Sequence, residues 1–307
     1  MDKAFKGMRG AYAALFTPYD KKGKVNPEAI EEVIEYGLKN GLNGFYLTGS
    51  TGEWWLLSKE ERKLVYNTAV KAINGRGKLI AHVGANSTDE AVWCAKAAAD
   101  AGIDWLSSLG PLLYRTSFDA AVYHYTQIAK ATDLPFMVYS IFSDLKPERD
   151  IKLFDLPNVK GMKYTGRDYY AAKELKRDLD AKGKETLWFA GCDEQLTCAL
   201  ALGKDMFAGG IGTTYNIIPK HFAGICAAAE KGDFKTAAKL QDEANKVVRL
   251  MIESDNWSYR KDMMRYIGID VGFCRAPFEP ISAAAEKAFL KRFDALKVAK
   301  KNQAKAK

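Results

Sequence analysis

Eight short strand-like runs, each followed by a stretch with helical periodicity, constrain the fold of this chain more than any other feature. The runs cover residues 11–16, 44–47, 79–83, 105–108, 135–139, 159–163, 187–190 and 206–209. Each is short, mostly apolar and bounded by turn-forming residues, the pattern of a buried strand. Residues 27–40, 58–73, 88–101, 118–131, 168–179 and 194–202 carry the spacing of amphipathic helices. Ordinary start signals precede three of them: Asn26 before Pro27, Ser58 before Lys-Glu-Glu, and Thr88 before Asp-Glu. Strands recurring every 20 to 35 residues or so, with a helix after each, predict an α/β chain closed into a (β/α)8 (TIM) barrel. A doubly wound open sheet would instead want a glycine-rich phosphate loop after its first strand, and Thr17-Pro-Tyr-Asp-Lys-Lys-Gly23 is not one.

Length agrees with that architecture and leaves a remainder. The chain has 307 residues, enough for one large barrel or two ordinary domains. Helical patterns at 223–230, 234–253 and 281–296 exceed what a minimal barrel needs. They predict a C-terminal helical extension packed on a barrel of residues 1–225. The extension covers 226–297, and a lysine-rich tail follows over 298–307.

Composition narrows the class of protein. Apolar residues make up 48% and charged residues 27%, as expected of a globular enzyme with a full core. No apolar stretch reaches the roughly 20 residues needed to span a membrane. The start, Met1-Asp-Lys-Ala-Phe-Lys, lacks the apolar run of a secretory signal, so a cytoplasmic location is expected. Five cysteines without close pairing are expected to be reduced, and three scattered histidines offer no zinc-ligand spacing. The net charge of +8 lies partly in the tail and partly along amphipathic helices. It fits an acidic small-molecule substrate at least as well as nucleic acid.

Five conspicuous motifs fall after predicted strands, on the face where barrel enzymes keep their active sites. Lys163 ends the sixth strand, and burying a lysine amine favours its neutral, nucleophilic form. Gly49-Ser50-Thr51-Gly52-Glu53 follows the second strand. Its glycines let successive N–H groups turn toward one anion, or it is a plain turn that caps the next helix. Tyr139 ends the fifth strand as either a proton relay or a core tyrosine with its hydroxyl at the rim. Gly191-Cys-Asp193-Glu194 and Gly209-Gly-Ile-Gly-Thr213-Thr-Tyr-Asn216 follow the last two strands. Their acids suit substrate hydroxyls, and suit a helix N-terminus equally well.

At these residues the chain resembles the pyruvate-dependent class I aldolase family that contains dihydrodipicolinate synthase and N-acetylneuraminate lyase. The likeness runs from Gly10-Ala-Tyr-Ala-Ala-Leu-Phe-Thr-Pro18 to Cys274-Arg-Ala-Pro-Phe-Glu-Pro280. It implies Lys163 as the Schiff-base lysine, Tyr139 and Ser50 as catalytic partners, and Ser50 and Thr51 as carboxylate ligands. The second half resembles the lyase branch, which places Gly191, Asp193, Glu194 and Thr213 around a sugar chain, with Thr165, Tyr170 and Gly212 beside them. Synthases carry an arginine where this chain has Asp144, whose charge would repel a second substrate carboxylate. Two departures stand out: Leu113, with Tyr114 one place later, where the family supplies a relay tyrosine from a neighbouring subunit, and Phe142 in place of a proline.

The resemblance implies reversible cleavage of N-acetylneuraminate to N-acetylmannosamine and pyruvate, without metal or nucleotide cofactor, by a homotetramer. Rival readings are a sister aldolase, synthase or hydro-lyase acting on another 2-keto acid such as a 2-keto-3-deoxy sugar acid, a catalytically retired binding protein, or a basic nucleic-acid binder.

Overall fold

A computed structural model describes residues 2–110, 116–141, 145–254 and 256–298. Eight parallel strands close in sequence order, β8 pairing back onto β1. They are β1 (Gly10–Ala14), β2 (Gly44–Leu47), β3 (Lys78–His82), β4 (Trp105–Ser108), β5 (Phe136–Ile141), β6 (Val159–Thr165), β7 (Leu187–Ala190) and β8 (Gly209–Gly212). The helices are α1 (Pro27–Lys39), α2 (Lys59–Ile73), α3 (Thr88–Ala101), α4 (Phe118–Ala129), the single turn α5 (Pro147–Asp150), α6 (Tyr169–Ala181), α7 (Leu196–Ala201) and α8 (Pro219–Glu230). Beyond the barrel lie α9 (Phe234–Ile252), α10 (Tyr259–Tyr266) and α11 (Ala283–Ala295).

Alternation along the strands sorts the core into two parts. Phe45, Leu79, Leu106, Val138, Met162 and Trp188 pack outward with helix residues such as Val65, Ile128 and Phe222. Tyr12, Tyr46, Ile80, Trp105, Met137, Tyr139, Phe189 and Ile211 fill the barrel. Phe5 and Met8 close its lower end, where the Trp105 indole N–H donates to the Ala4 carbonyl at 3.1 Å. The lower barrel is therefore filled by side chains, and the described cleft lies at the upper, C-terminal mouth.

The predicted starts of α1 and α2 hold: Asn26 accepts from the Ala29 amide, and Ser58 forms a capping box with Glu61. Helix α3 is instead capped one residue earlier, by Ser87.

Three differences from the sequence reading bear on the site. The eighth strand is Gly209–Gly212, not 206–209. Met206 and Phe207 are buried, but they pack against the outer core, and their amides bond back to Gly203 in a turn. The glycines are the strand because only they fit there: a Cβ on Gly209 would lie 1.8 Å from the Gly10 carbonyl oxygen. Half of the Gly209–Asn216 motif is thus barrel wall rather than loop. Strands β5 and β6 each run two residues beyond Tyr139 and Lys163, which sit one layer down inside the mouth. Finally, α5 and α10 carry too few turns to show a helical period in the sequence.

Candidate active site

Lys163 pairs in register with Tyr139 on β5 and Phe189 on β7. It shares their inward face and is only 5% exposed. Its amine lies 4.1 Å from the Tyr139 ring centre and 4.4 Å from that of Tyr46. Among the described residues no carboxylate pairs with it, so aromatic faces are its immediate environment. These rings shield the amine from water.

The neighbours are fixed in protonation state. The Tyr46 hydroxyl donates to Ser107 Oγ at 3.0 Å, and burial holds its phenol far above the ordinary range, so it stays protonated. His82 donates from Nδ1 to the Thr48 carbonyl at 2.9 Å, while its Nε2 accepts from the Leu109 amide at 3.3 Å. Burial first, then the Arg62 charge, keeps the ring neutral well below its usual pKa. These residues form a rigid backing for Tyr139, whose ring packs edge-on to both Tyr46 and His82.

The Gly49–Glu53 loop leaves β2 through two non-glycine residues in the left-handed region, Thr48 at φ 47° and Glu53 at φ 58°. Thr17 Oγ1 donates to the Gly52 carbonyl at 2.7 Å, and the Glu53 amide closes a turn onto the Ser50 carbonyl at 3.1 Å. The amides of Ser50, Thr51 and Gly52 make no hydrogen bond to the described residues. Three consecutive free N–H groups in a turn form an anion cradle. Thr51 Oγ1 also meets Thr213 Oγ1 at 2.7 Å, joining this loop to the end of β8.

Thr165, Gly191, Asp193, Glu194 and Thr213 line one cleft of about 520 Å3 at the mouth. Asp193 is anchored within it: Oδ2 accepts from the Thr214 amide at 2.8 Å and hydroxyl at 2.6 Å. Burial pushes its carboxyl above the ordinary range, and the Thr214 hydrogen bonds oppose that. Glu194 is freer, its carboxylate 3.7 Å from Arg167. Gly191 and Gly212 are glycines for lack of room. A Cβ on Gly191 would lie 1.9 Å from Thr165 Oγ1, and one on Gly212 would lie 1.9 Å from Asp193 Oδ1.

The structure therefore brings Lys163 beside Tyr139, Thr51 onto Thr213, and the acids of the β7 loop beside Thr165. It does not bring Tyr170 to the cleft; that side chain is 76% exposed on the first turn of α6. Tyr114, Leu113, Phe142 and Asp144 lie outside the described residues. Among the described residues no group of His, Cys, Asp or Glu is arranged to hold a metal ion. No helix among them is long and apolar enough to cross a membrane.

Sequence reasoning missed two groups. Ser107 and His82 sit on inward strand positions, two residues beyond Trp105 and Ile80, and strand parity would have found them. Trp257, Arg260 and the α9 residues Val248 and Met251 also line the cleft. In addition, Gln241 and Asn245 of α9 donate to the carbonyls of Asp193 and Glu194 at 2.9 and 3.3 Å. Nothing in their sequence spacing marks these residues, because they come from the extension.

Known proteins resemble this chain in sequence and in fold. N-acetylneuraminate lyase of Escherichia coli (strain SMS-3-5 / SECEC) is 35% identical over 280 residues, covering 89% of this chain and 92% of that protein. The crystal structure of N-acetylneuraminate lyase from Mycoplasma synoviae superposes with a TM-score of 0.85 at 31% identity, covering 95% of this chain and 99% of that one. The enzyme of the same name from Fusobacterium nucleatum gives 0.86 at 29% identity, over 94% and 99% of the two chains. The dihydrodipicolinate synthetase family matches residues 7–296, nearly the full length, and the chain belongs to that family.

Proposed function

We propose that this protein is a class I aldolase that reversibly cleaves N-acetylneuraminate to N-acetylmannosamine and pyruvate, with Lys163 as the Schiff-base amine. The observation that carries the assignment is the enclosed Lys163 amine, 4.1 Å from the ring of Tyr139 and free of any carboxylate partner among the described residues. The 35% identity to a lyase over most of the chain supports the choice of substrate.

The open-chain substrate places its carboxylate on the free amides of residues 50–52 and the hydroxyls of Ser50 and Thr51. The Lys163 amine adds to the C2 ketone, and loss of water leaves an iminium. The phenol of Tyr139 relays the proton leaving the C4 hydroxyl. The C3–C4 bonding pair moves to the iminium nitrogen, releasing N-acetylmannosamine as its aldehyde and leaving an enamine. Protonation at C3 and hydrolysis then free pyruvate and the amine. Thr165, Gly191, Asp193, Glu194 and Thr213 face the substrate hydroxyls, and Gly212 makes room for Asp193. Tyr170 is too exposed to share this role, and Tyr114 keeps only the relay role that the resemblance implies. The same reading takes the enzyme as a cytoplasmic homotetramer acting on a small keto acid, with neither nucleic acid nor membrane as partner.

Borohydride reduction in the presence of pyruvate tests the mechanism: the Lys163 peptide is expected to gain the mass of a reduced pyruvate adduct, and an unmodified peptide refutes it. Pyruvate release from a panel of 2-keto sugar acids tests the substrate; the assignment falls if another member turns over and N-acetylneuraminate does not.

A further inference from the structure

The cleft has one wall that the proposed reaction leaves unused. Trp257 and Arg260 line it together with Arg167, Asp193 and Glu194. The Arg260 guanidinium lies 4.2 Å from the Trp257 ring centre, so the two side chains form one surface. Arg260 donates through Nη2 to the Met251 carbonyl at 2.9 Å and, weakly, through Nη1 to the carbonyls of Asn256 and Trp257 at 3.5 Å. A guanidinium has five N–H donors, so at least two are left without an acceptor.

It also has no direct ion-pair partner: among the described residues no carboxylate pairs with Arg260, whereas Arg265 is held by Asp262 and Glu286, and Arg275 by Glu61. Of the cleft acids, Asp193 accepts from Thr214 and Glu194 leans toward Arg167, so Asp193 acts on Arg260 only at a distance. Burial pushes the Arg260 guanidinium down to about 10, and the charges of Cys274 and Asp193 oppose that only in part. Two other cleft-lining residues, Trp257 at Nε1 and Thr165 at Oγ1, carry buried donor atoms with no hydrogen-bond partner. A half-buried cation with spare donors is costly unless a ligand brings acceptors and negative charge.

Thr165 lies two residues outward from Lys163 on the inner face of β6. Granting the reading of Lys163 as the ketone anchor, a substrate chain fixed there runs past Thr165 into this cleft. We infer that the Trp257–Arg260 wall binds an anionic group, a phosphate or a carboxylate, at the end of the substrate remote from the ketone. The enzyme then prefers keto sugar acids with a second, terminal anion over their neutral-ended counterparts.

The test uses matched probes: N-acetylneuraminate against its 9-phosphate, and 2-keto-3-deoxygluconate against its 6-phosphate and against 2-keto-3-deoxyglucarate. Pyruvate release is followed for the natural enzyme, Arg260→Met and Arg260→Lys, with borohydride trapping of pyruvate alone as the check that each variant is folded. The expected result is kcat/KM at least tenfold higher for an anionic-ended member, a ratio that collapses in Arg260→Met and partly returns in Arg260→Lys. The glucarate arm separates a carboxylate from a phosphate site. Equal kcat/KM within a cleaved pair, or a preference that survives in Arg260→Met, overturns the inference. Preference confined to the deoxyhexonate set upholds it while removing the sialic acid assignment. Cleavage of the sialic acid pair without preference does the reverse, and cleavage of no probe overturns both.

Discussion

Glu53 and Lys261 form an ion pair at 2.9 Å with neither side chain exposed. The last residue of the Gly49–Glu53 loop is thereby tied to α10 of the C-terminal extension. Lys261 uses its other donors on the carbonyls of Thr17 at 2.8 Å and Phe273 at 3.1 Å. Burial pushes its amine below the ordinary lysine range, and the Glu53 charge opposes that. Glu53 itself sits in the left-handed region, a conformation that persists only when its surroundings enforce it.

Lys261→Met leaves the Glu53 carboxylate buried and unpaired. The expected loss of stability is about 3–5 kcal/mol by urea denaturation, and Glu53→Leu combined with Lys261→Met is expected to regain part of it. A single-variant loss below about 1 kcal/mol would mean that the pair is solvated.

Tyr139→Phe keeps the aromatic wall beside Lys163 and removes only the hydroxyl. Turnover of N-acetylneuraminate is expected to fall by about 100-fold or more in kcat, with KM little changed, because general acid–base catalysis contributes on that scale. Borohydride trapping of pyruvate is expected to persist. Near-normal kcat would take Tyr139 out of the proton relay.

Gly212→Ala puts a Cβ 1.9 Å from Asp193 Oδ1 and 2.5 Å from the Tyr215 ring. Asp193 has to leave Thr214 or the β8 backbone has to shift, at a cost of about 1–3 kcal/mol. Cleavage of the sugar acid is expected to drop more than tenfold while pyruvate still forms its adduct on Lys163. Equal loss of both would place the damage in the barrel wall rather than in the sugar end of the cleft.

Stability is expected to fall on the acid side. His82 is held neutral in the folded barrel, its pKa well below 6.5 chiefly through burial, and burial lowers His124 as well. The unfolded chain takes up these protons first as pH drops through about 6.5, so unfolding is favoured increasingly below that point. Each group contributes a slope of up to about 1.4 kcal/mol per pH unit, and stability is complete above pH 6.5. Urea midpoints measured at pH 7.5 and 5.5 check this. The decline is expected to be shallower in His82→Asn, and a flat profile in the natural protein would contradict a neutral His82.

The placing of Lys163 beside Tyr139 inside the barrel was legible in the sequence because strand alternation is local. The run ending in Gly161-Met-Lys163 alternates so that Met162 faces the helices and Lys163 the lumen, and Tyr139 follows the same rule on β5. The eighth strand was misplaced because apolar content is the usual strand signal, whereas here backbone crowding at Gly10 selects glycine. Tyr170 was placed near the site by the family resemblance, but on the first turn of α6 it faces solvent.

The order of apolar runs and helical periods was enough to determine a closed barrel, and the motifs after the strands were enough to place Lys163, Tyr139 and the acids at one end of it. Both depend on contacts between residues close in sequence or on neighbouring strands. Only the tertiary structure decided how α9 and α10 return over the mouth to place Gln241, Trp257, Arg260 and Lys261 against loops from the first half and from β7. In sequence nothing local marks these residues, and their desolvation and pairing arise from long-range packing that no local spacing encodes.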